Sequence, residues 1–221
     1  KLFGALNLQS GYQDKGFGAY GFYSAAYPDE YEQTRTFFAS LSSEKKIGNF
    51  TLLPKIYWRQ HHDRFELFRA FENAPIWYTQ HNYHQTDVVG ATLTGSYLSA
   101  WGKTSTGIDF RSEHIYSNAL GEFMTTTVQA PFAENGINFT KEKSRENLNG
   151  FIEHAIFLDK FSASVGVLGN YSNDFGFNTY FGGDMGYAFS SSLKAFASVN
   201  QSLRLPTFTD LYTSNSALQG S

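Results

Sequence analysis

Between Asp87 and Trp101 the chain reads DVVGATLTGSYLSAW. Taken alternately, Val89, Ala91, Leu93, Gly95, Tyr97, Ser99 and Trp101 fall on one side, and Val88, Gly90, Thr92, Thr94, Ser96, Leu98 and Ala100 on the other. Successive side chains of an extended strand point to opposite faces, so a period of two sustained this long reads as a strand and not as a helix of period 3.6. One face suits an apolar medium and the other is mixed to polar.

The same alternation extends in both directions. Phe50, Leu52, Pro54, Ile56 and Trp58 oppose Thr51, Leu53, Lys55, Tyr57 and Arg59. Ile108 and Phe110 oppose Asp109, Arg111 and Glu113; Phe161, Ala163, Val165, Val167 and Tyr171 alternate with Ser162, Ser164, Leu168 and Asn170. Leu193, Ala195, Ala197 and Val199 oppose Lys194, Phe196, Ser198 and Asn200. About ten strands are expected, near 1–11, 17–25, 34–46, 49–65, 84–101, 104–116, 145–158, 161–172, 180–190 and 193–203. No apolar stripe of helical period competes, and the class is all-β. Several segments exceed the usual five or six residues of soluble strands and reach the roughly 9–11 that a tilted strand needs to cross a bilayer. Pro54 inside one of them predicts a bulge or an interrupted ladder.

The connections alternate between short and long. Tight turns are expected at Asp14-Lys15-Gly16, Ile47-Gly48-Asn49, Gly102-Lys103-Thr104, Asp159-Lys160 and Ser190-Ser191-Ser192. Long excursions are expected at 24–33, 66–83 and 117–144, with a shorter one at 173–179 and a tail from Leu203. In a meander, alternate connections emerge at the same rim. Short turns at one rim and long loops at the other are the pattern of an antiparallel transmembrane β-barrel. Phe50 and Trp58, Tyr97 and Trp101, Phe161 and Tyr171, and Tyr187 and Phe189 stand near the ends of apolar faces, where rings with a polar tip favour the headgroup level. A soluble β-sandwich, serving as a binding module for adhesion or sugars, is the rival, but it has no reason to sort its loops this way.

Composition agrees. Aromatic residues make up 18% of the 221, charged residues only 17%, and Cys is absent. The aromatic content excludes disorder, and the lack of Cys excludes a disulfide scaffold or a thiolate metal site. The net charge of −3 argues against nucleic acid as a partner. No run approaches the roughly 18 apolar residues of a transmembrane helix.

The stretch LKAFASVNQSLRLPTFTDLYT, Leu193 to Thr213, resembles the late-barrel motif of TonB-dependent outer-membrane receptors, R-x-P-[TS]-[FL]-x-[DE]-L-[YF]. Arg204, Pro206, Thr207, Phe208, Asp210, Leu211 and Tyr212 carry the match, and GGDMGYAFSSSLK from Gly182 is similar to the usual approach to it. TFFASLSSEKKIGNFTLLPKIYWRQHHDRFEL looks like the cobalamin (vitamin B12) receptor branch of Bacteroides-type bacteria. The resemblance implies a 22-stranded barrel in the outer membrane of a Gram-negative bacterium, of which residues 1–221 supply a partial barrel domain, with the plug domain and remaining strands outside this chain. It further implies active uptake of a scarce, large ligand driven by TonB acting through that plug. Its partners would be the lipid bilayer, TonB and a surface-exposed ligand-capturing lipoprotein. Cobalamin is the leading transported ligand, then a ferric siderophore or haem, then an oligosaccharide. No resident cofactor and no catalytic residue are expected.

The ligand contacts are expected on the long loops, at Phe68, Arg69, Trp77, Tyr78, His81, Phe123 and Met124. No metal site is expected: His61 and His62 are adjacent in a strand and point to opposite faces, and no closed ligand set is visible. Asp109, Arg111 and Glu113, with Lys55 and Arg59, read as a polar lumen lining. Asp87, His84 and His114 at strand ends keep open a barrel enzyme of protease or lipase type. The sequons at Asn49, Asn138, Asn170 and Asn200 carry meaning only in a eukaryotic secretory setting.

Overall fold

A computed structural model of the chain describes residues 4–21, 26–134 and 136–213. Its strands are β1 (Ala5–Gly18), β2 (Tyr31–Ile47), β3 (Phe50–Glu66), β4 (Asn82–Ser99), β5 (Gly102–Ser117), β6 (Glu122–Gln129), β7 (Asn138–Phe157), β8 (Phe161–Ser172), β9 (Gly176–Ala188) and β10 (Lys194–Asn200). A short helix, α1 (Phe208–Tyr212), follows. The strands form one antiparallel sheet in the order β1-β2-β3-β4-β5-β7-β8-β9-β10, with β6 off that path on β7.

The all-β meander is therefore present, but three expected elements differ. The turn expected at Gly102-Lys103-Thr104 falls earlier, at Ala100 and Trp101, because those three residues open β5 opposite Ser99, Leu98 and Tyr97. Asp14, Lys15 and Gly16 make no turn; they continue β1, paired with Arg35, Thr34 and Gln33 of β2. The strand expected at 17–25 is accordingly only the end of β1, and 22–25 lie outside the described residues. Cross-strand pairing outweighs the local turn chemistry of Asp-Lys-Gly, helped by a salt bridge from Arg35 Nε to Asp14 at 2.9 Å. In the other direction, the excursion expected at 117–144 contains β6 and the first residues of β7. Pro54 interrupts its ladder as expected: Ser42 pairs Lys55 and Lys45 pairs Leu52, and the pairing lapses between them. The remaining tight connections fall at one rim. At the first of them Ile47 pairs Phe50 across a two-residue turn, and Gly48 takes φ 59°, where a Cβ is disfavoured.

The register aligns the alternating faces across the sheet. Leu41, Ile56, Ala91, Phe110, Leu148, Tyr171 and Phe177 stand in one cross-strand row. On this apolar face Val89 is 54% exposed, Ile108 59%, Ile152 51% and Val165 66%. The middle of the sheet therefore has no core of its own. The buried apolar residues cluster at the rim of the long loops: Tyr83, Ala130 and Phe139 in one group, Ile115, Leu120 and Phe208 in another.

β7 shows how that rim is built. Its residues 141–155 pair β5, while 147–157 pair β8 on the opposite edge. Above the end of β8 this second edge is taken by β6, whose Glu122 and Phe123 pair Glu142 and Lys141. The chain from β5 must therefore cross β7 to reach β6. It passes so close that a Cβ on Gly121 would lie 2.7 Å from the Glu142 carbonyl oxygen, and Gly121 has φ 105°.

Candidate functional site

The loop between β3 and β4 folds on its own rings. Phe68 lies edge-on to Tyr27 (5.5 Å), Tyr78 (5.3 Å) and Trp77 (6.1 Å), and Phe71 lies 4.6 Å from the His81 imidazole. The Leu67 amide donates to the Tyr78 hydroxyl at 2.9 Å, and that hydroxyl lies 2.8 Å from His81 Nδ1. Burial holds the His81 pKa below its ordinary value and raises that of Tyr78. Arg69 stacks over Tyr31 at 4.1 Å and reaches Glu66 at 3.8 Å. Trp77 remains 62% exposed and Ile76 fully so, leaving an apolar ledge at the loop's outer side.

Five of the seven expected contact residues, Phe68, Arg69, Trp77, Tyr78 and His81, thus belong to or border one cluster. Phe123 and Met124 belong to β6. Phe123 is exposed beneath the Lys141 ammonium (5.2 Å), while Met124 packs against the Tyr83–Phe139 group. The two regions meet at the start of β4. Asn118 holds that point by accepting from the Tyr83 amide and donating to the His81 carbonyl, both at 2.8 Å. Arg64 ties the β6–β7 loop to it through Glu134 at 2.7 Å, and the Tyr83 hydroxyl donates to the same carboxylate. Burial works against the charge on Glu134, but the Tyr83 hydrogen bond and the Arg64 guanidinium outweigh it and keep the carboxyl below its usual range.

The opposite, polar face is covered by residues 201–213, in which the Arg204–Tyr212 motif takes defined roles. Thr207 caps α1: its hydroxyl accepts from the Asp210 amide at 3.1 Å, and its own amide donates to the Asp210 carboxylate at 2.8 Å. Those bonds hold the Asp210 pKa below the ordinary value. Phe208 is buried against Ile115 and Leu120, with Tyr212 beside it. Leu211 and Arg204 stay exposed. The residue that organises this segment was not among the expected ones. Arg145 of β7, its side chain 4% exposed, donates from Nη1 to the Pro206 carbonyl (2.7 Å) and from Nε to Asp174 (3.0 Å), and its guanidinium lies over Phe208 (4.8 Å). Lys141, Lys143 and Arg145 alternate with Glu142, Ser144 and Glu146 as in a strand, but nothing in that pattern singles out Arg145 as the buried one.

Asp109 and Asn149 lie on the same polar face, joined at 3.4 Å, and Thr92 donates to Asp109 at 2.7 Å. Arg111 is paired with Glu113. Asp87, His84 and His114 are not brought together. Asp87 and His114 are register partners, but His84 sits on the other face with its Nδ1 at 2.7 Å from the Ser117 hydroxyl. His61 and His62 lie on opposite faces, paired respectively with Thr36 and Gln60. Among the described residues no group of three metal-ligating side chains converges. No family model matches the chain, and no curated protein sequence is significantly similar to it.

Proposed function

We propose that this chain is part of the wall of an outer-membrane transporter of the TonB-dependent class, taking up a scarce, large ligand at its long-loop rim. The observation that carries the reading is the exposed apolar face and the way aromatic residues bound it. A face of this extent is not kept in water by a monomeric soluble protein, whose exposed apolar patches rarely exceed a few hundred Å².

The aromatic boundary follows strand tilt. Starting from Tyr97 on β4, the row runs through Thr104, His154 and Val165 to Gly183 on β9. The matching aromatic on β9 is Tyr187, opposite Phe161, four residues further along. Four residues over four strand-to-strand steps is a stagger of about one per strand, the ratio of an eight-stranded barrel with shear 8. The upper boundary descends the same way, from Tyr12 and Phe37 on β1 and β2 to Tyr171 and Phe177 on β8 and β9. A planar slab crossed by tilted strands produces this diagonal; a sandwich core does not need it.

β1 and β10 each have one strand partner among the described residues, so this reading calls for further strands completing the wall, as open edges are not tolerated in lipid. A plug domain on the same protein, contacted by TonB, fits the motif at Arg204–Tyr212. Transport needs no bond chemistry. Trp77, Arg69, Phe68 and Tyr78 form the ligand-facing set, with His81 buried beneath them as their support, and cobalamin is the leading ligand on the resemblance of residues 36–67; a ferric siderophore or haem is the runner-up for the same aromatic ledge. The experiment is fractionation of the full-length protein followed by titration. Recovery without detergent in the soluble fraction overturns the barrel. Saturable binding of cyanocobalamin supports the ligand, and its absence with a folded receptor removes cobalamin.

A further inference from the structure

Beneath the 201–213 segment, against β5, β7 and β8, lies a cavity of about 910 Å³. The segment is fastened at its two ends and loose between them. Gln201 is clamped to Phe181 through backbone and side chain (3.0 and 3.1 Å), and Pro206 and Phe208 are held by Arg145 and the Ile115–Leu120 pair. Among the described residues, no backbone hydrogen bond ties 202–205 to the sheet. The capping box satisfies α1 internally, so the segment can lift without losing its own turn.

The floor below it is polar and incompletely paired. Among the described residues, Arg145 Nη2, Asn147 Oδ1 and Asn170 Oδ1 are buried with no hydrogen-bond partner. Arg145 and Asn147 are two residues apart on one face of β7, and Asn170 of β8 is the register partner of Asn149. The orientation of Asn170 is set by a relay. Asp109 can only accept, so Asn149 turns its amide nitrogen to it. Asn149 Oδ1 then accepts from Asn170 Nδ2 at 2.7 Å, which leaves Asn170 Oδ1 as a free acceptor. The floor therefore offers one cationic donor beside two neutral acceptors. A carboxylate or phosphate brings no donor for the two asparagines and meets Asp109, Glu113 and Asp174. An ammonium brings no acceptor for Arg145. A carboxamide supplies both, and an amide carbonyl, that of Pro206, already rests on Arg145 Nη1.

We propose that the Arg145–Asn147–Asn170 floor is a binding subsite for a carboxamide-bearing ligand, and that the 201–213 segment is a displaceable strap whose Pro206 carbonyl occupies part of that subsite until the ligand arrives. The subsite rests on the transport reading above and deepens it. Strap and ligand compete, so weakening the strap strengthens the ligand, because apparent affinity scales with the fraction of protein in the open form.

The chain has no cysteine, so spin labels at Thr209→Cys and Lys160→Cys report the strap against the opposite rim in the full-length protein in lipid vesicles. Two neutral amide probes, cyanocobalamin and N-acetyl-triglycine amide, separate a corrin from a peptide source; N-acetyl-triglycine is the carboxylate control. An amide probe is expected to shift the label distance, to bind about tenfold or more weakly in Arg145→Met, and several-fold more tightly in Phe208→Ala. If only the peptide amide acts, the subsite stands and cobalamin falls. If only cyanocobalamin acts, both stand. If neither amide probe moves the strap, or the carboxylate binds as well as its amide, the subsite is refuted. Phe208→Ala leaves the floor intact, so tighter binding there supports the competition even where Arg145→Met fails to fold, and weaker binding refutes it.

Discussion

Leu93 sits midway between Val89 and Tyr97 on the apolar face of β4 and is 48% exposed. Placing an arginine there distinguishes lipid from water at that face. Four residues separate Leu93 from the aromatic Tyr97, about 14 Å along the strand at roughly 3.4 Å per residue, or about 10 Å of depth at a tilt near 45°. In a bilayer, Leu93→Arg therefore lies near the midplane and is expected to cost about 2–4 kcal/mol, while Tyr97→Arg at the girdle costs about 0–1 beyond the lost ring. At roughly 1.4 kcal/mol per decade, Leu93→Arg lowers the folding equilibrium constant by about 30- to 700-fold. Were the face in water, the same change at a half-exposed site would stay within about 0.5 kcal/mol. Ser96→Arg, on the polar face of the same strand, is the control and is expected to remain within that range.

The assay is denaturant unfolding of the full-length protein in phospholipid vesicles, followed by tryptophan fluorescence and by the gel shift between folded and heated protein. The ordering Leu93→Arg well above Tyr97→Arg, with Ser96→Arg lowest, supports the membrane wall. Equal costs for Leu93→Arg and Ser96→Arg, or both near zero, would refute it.

Three further outcomes are expected. Thr207→Ala removes one half of the α1 capping box and should cost about 1 kcal/mol of strap stability, read as a broadened label distance at residue 209, with Asp210→Ala adding less than its own single effect because the two bonds form one unit. Gly121→Ala sets a Cβ against the Glu142 backbone at positive φ and should destabilise the protein by about 1–2 kcal/mol; an unchanged denaturation midpoint contradicts the crossing geometry. Burial lowers the His81 pKa from 6.5, so the closed β3–β4 loop binds fewer protons than the opened one. Its stability is full above about pH 6.5 and is lost as pH falls through the lowered value. Amide exchange at Leu67 and Tyr78 should accordingly speed up on acidification, after correction for intrinsic rates, and His81→Phe should flatten that dependence; slower exchange at low pH contradicts the sign.

Strand faces were legible because a period of two needs no tertiary information: from Asp87 to Ser99 the residues named on each side are those the register places on each face, and only Ala100 and Trp101 leave the pattern, for the turn. Connections were less legible. Asp14-Lys15-Gly16 has turn composition, but a turn there would forfeit the whole upper ladder of β1 on β2, and long-range pairing wins. β6 was hidden because its pairing depends on β8 ending at Ser172, which exposes the edge of β7 above it; nothing local in EFMTTTVQ reports that vacancy. The aromatic cluster around Tyr78 was visible as a composition, whereas Arg145 was not, since a buried arginine is defined by what comes to lie over it, here a segment some sixty residues later.

That late segment also determines how tightly the polar face is closed. Burying Phe208 contributes about 1.5–3 kcal/mol, and the charged hydrogen bond from Arg145 to the Pro206 carbonyl about 1.5–3. Against these stand three buried polar atoms without partners among the described residues, each costing about 1–3. The two sides are of similar size, so the strap is held near balance by its own floor. A strap closed by several kcal/mol would need a ligand of matching strength to lift it, and one with a satisfied floor would have nothing to offer an incoming group. The rim of the long loops, by contrast, is cross-tied by Arg64, Asn118 and Tyr83 around fully buried rings. On the proposed transport reading, rigidity is thus placed at the ligand-capturing rim and near-degeneracy at the proposed strap, and a carboxamide that satisfied Arg145 and Asn170 would have only the Phe208 contact left to overcome.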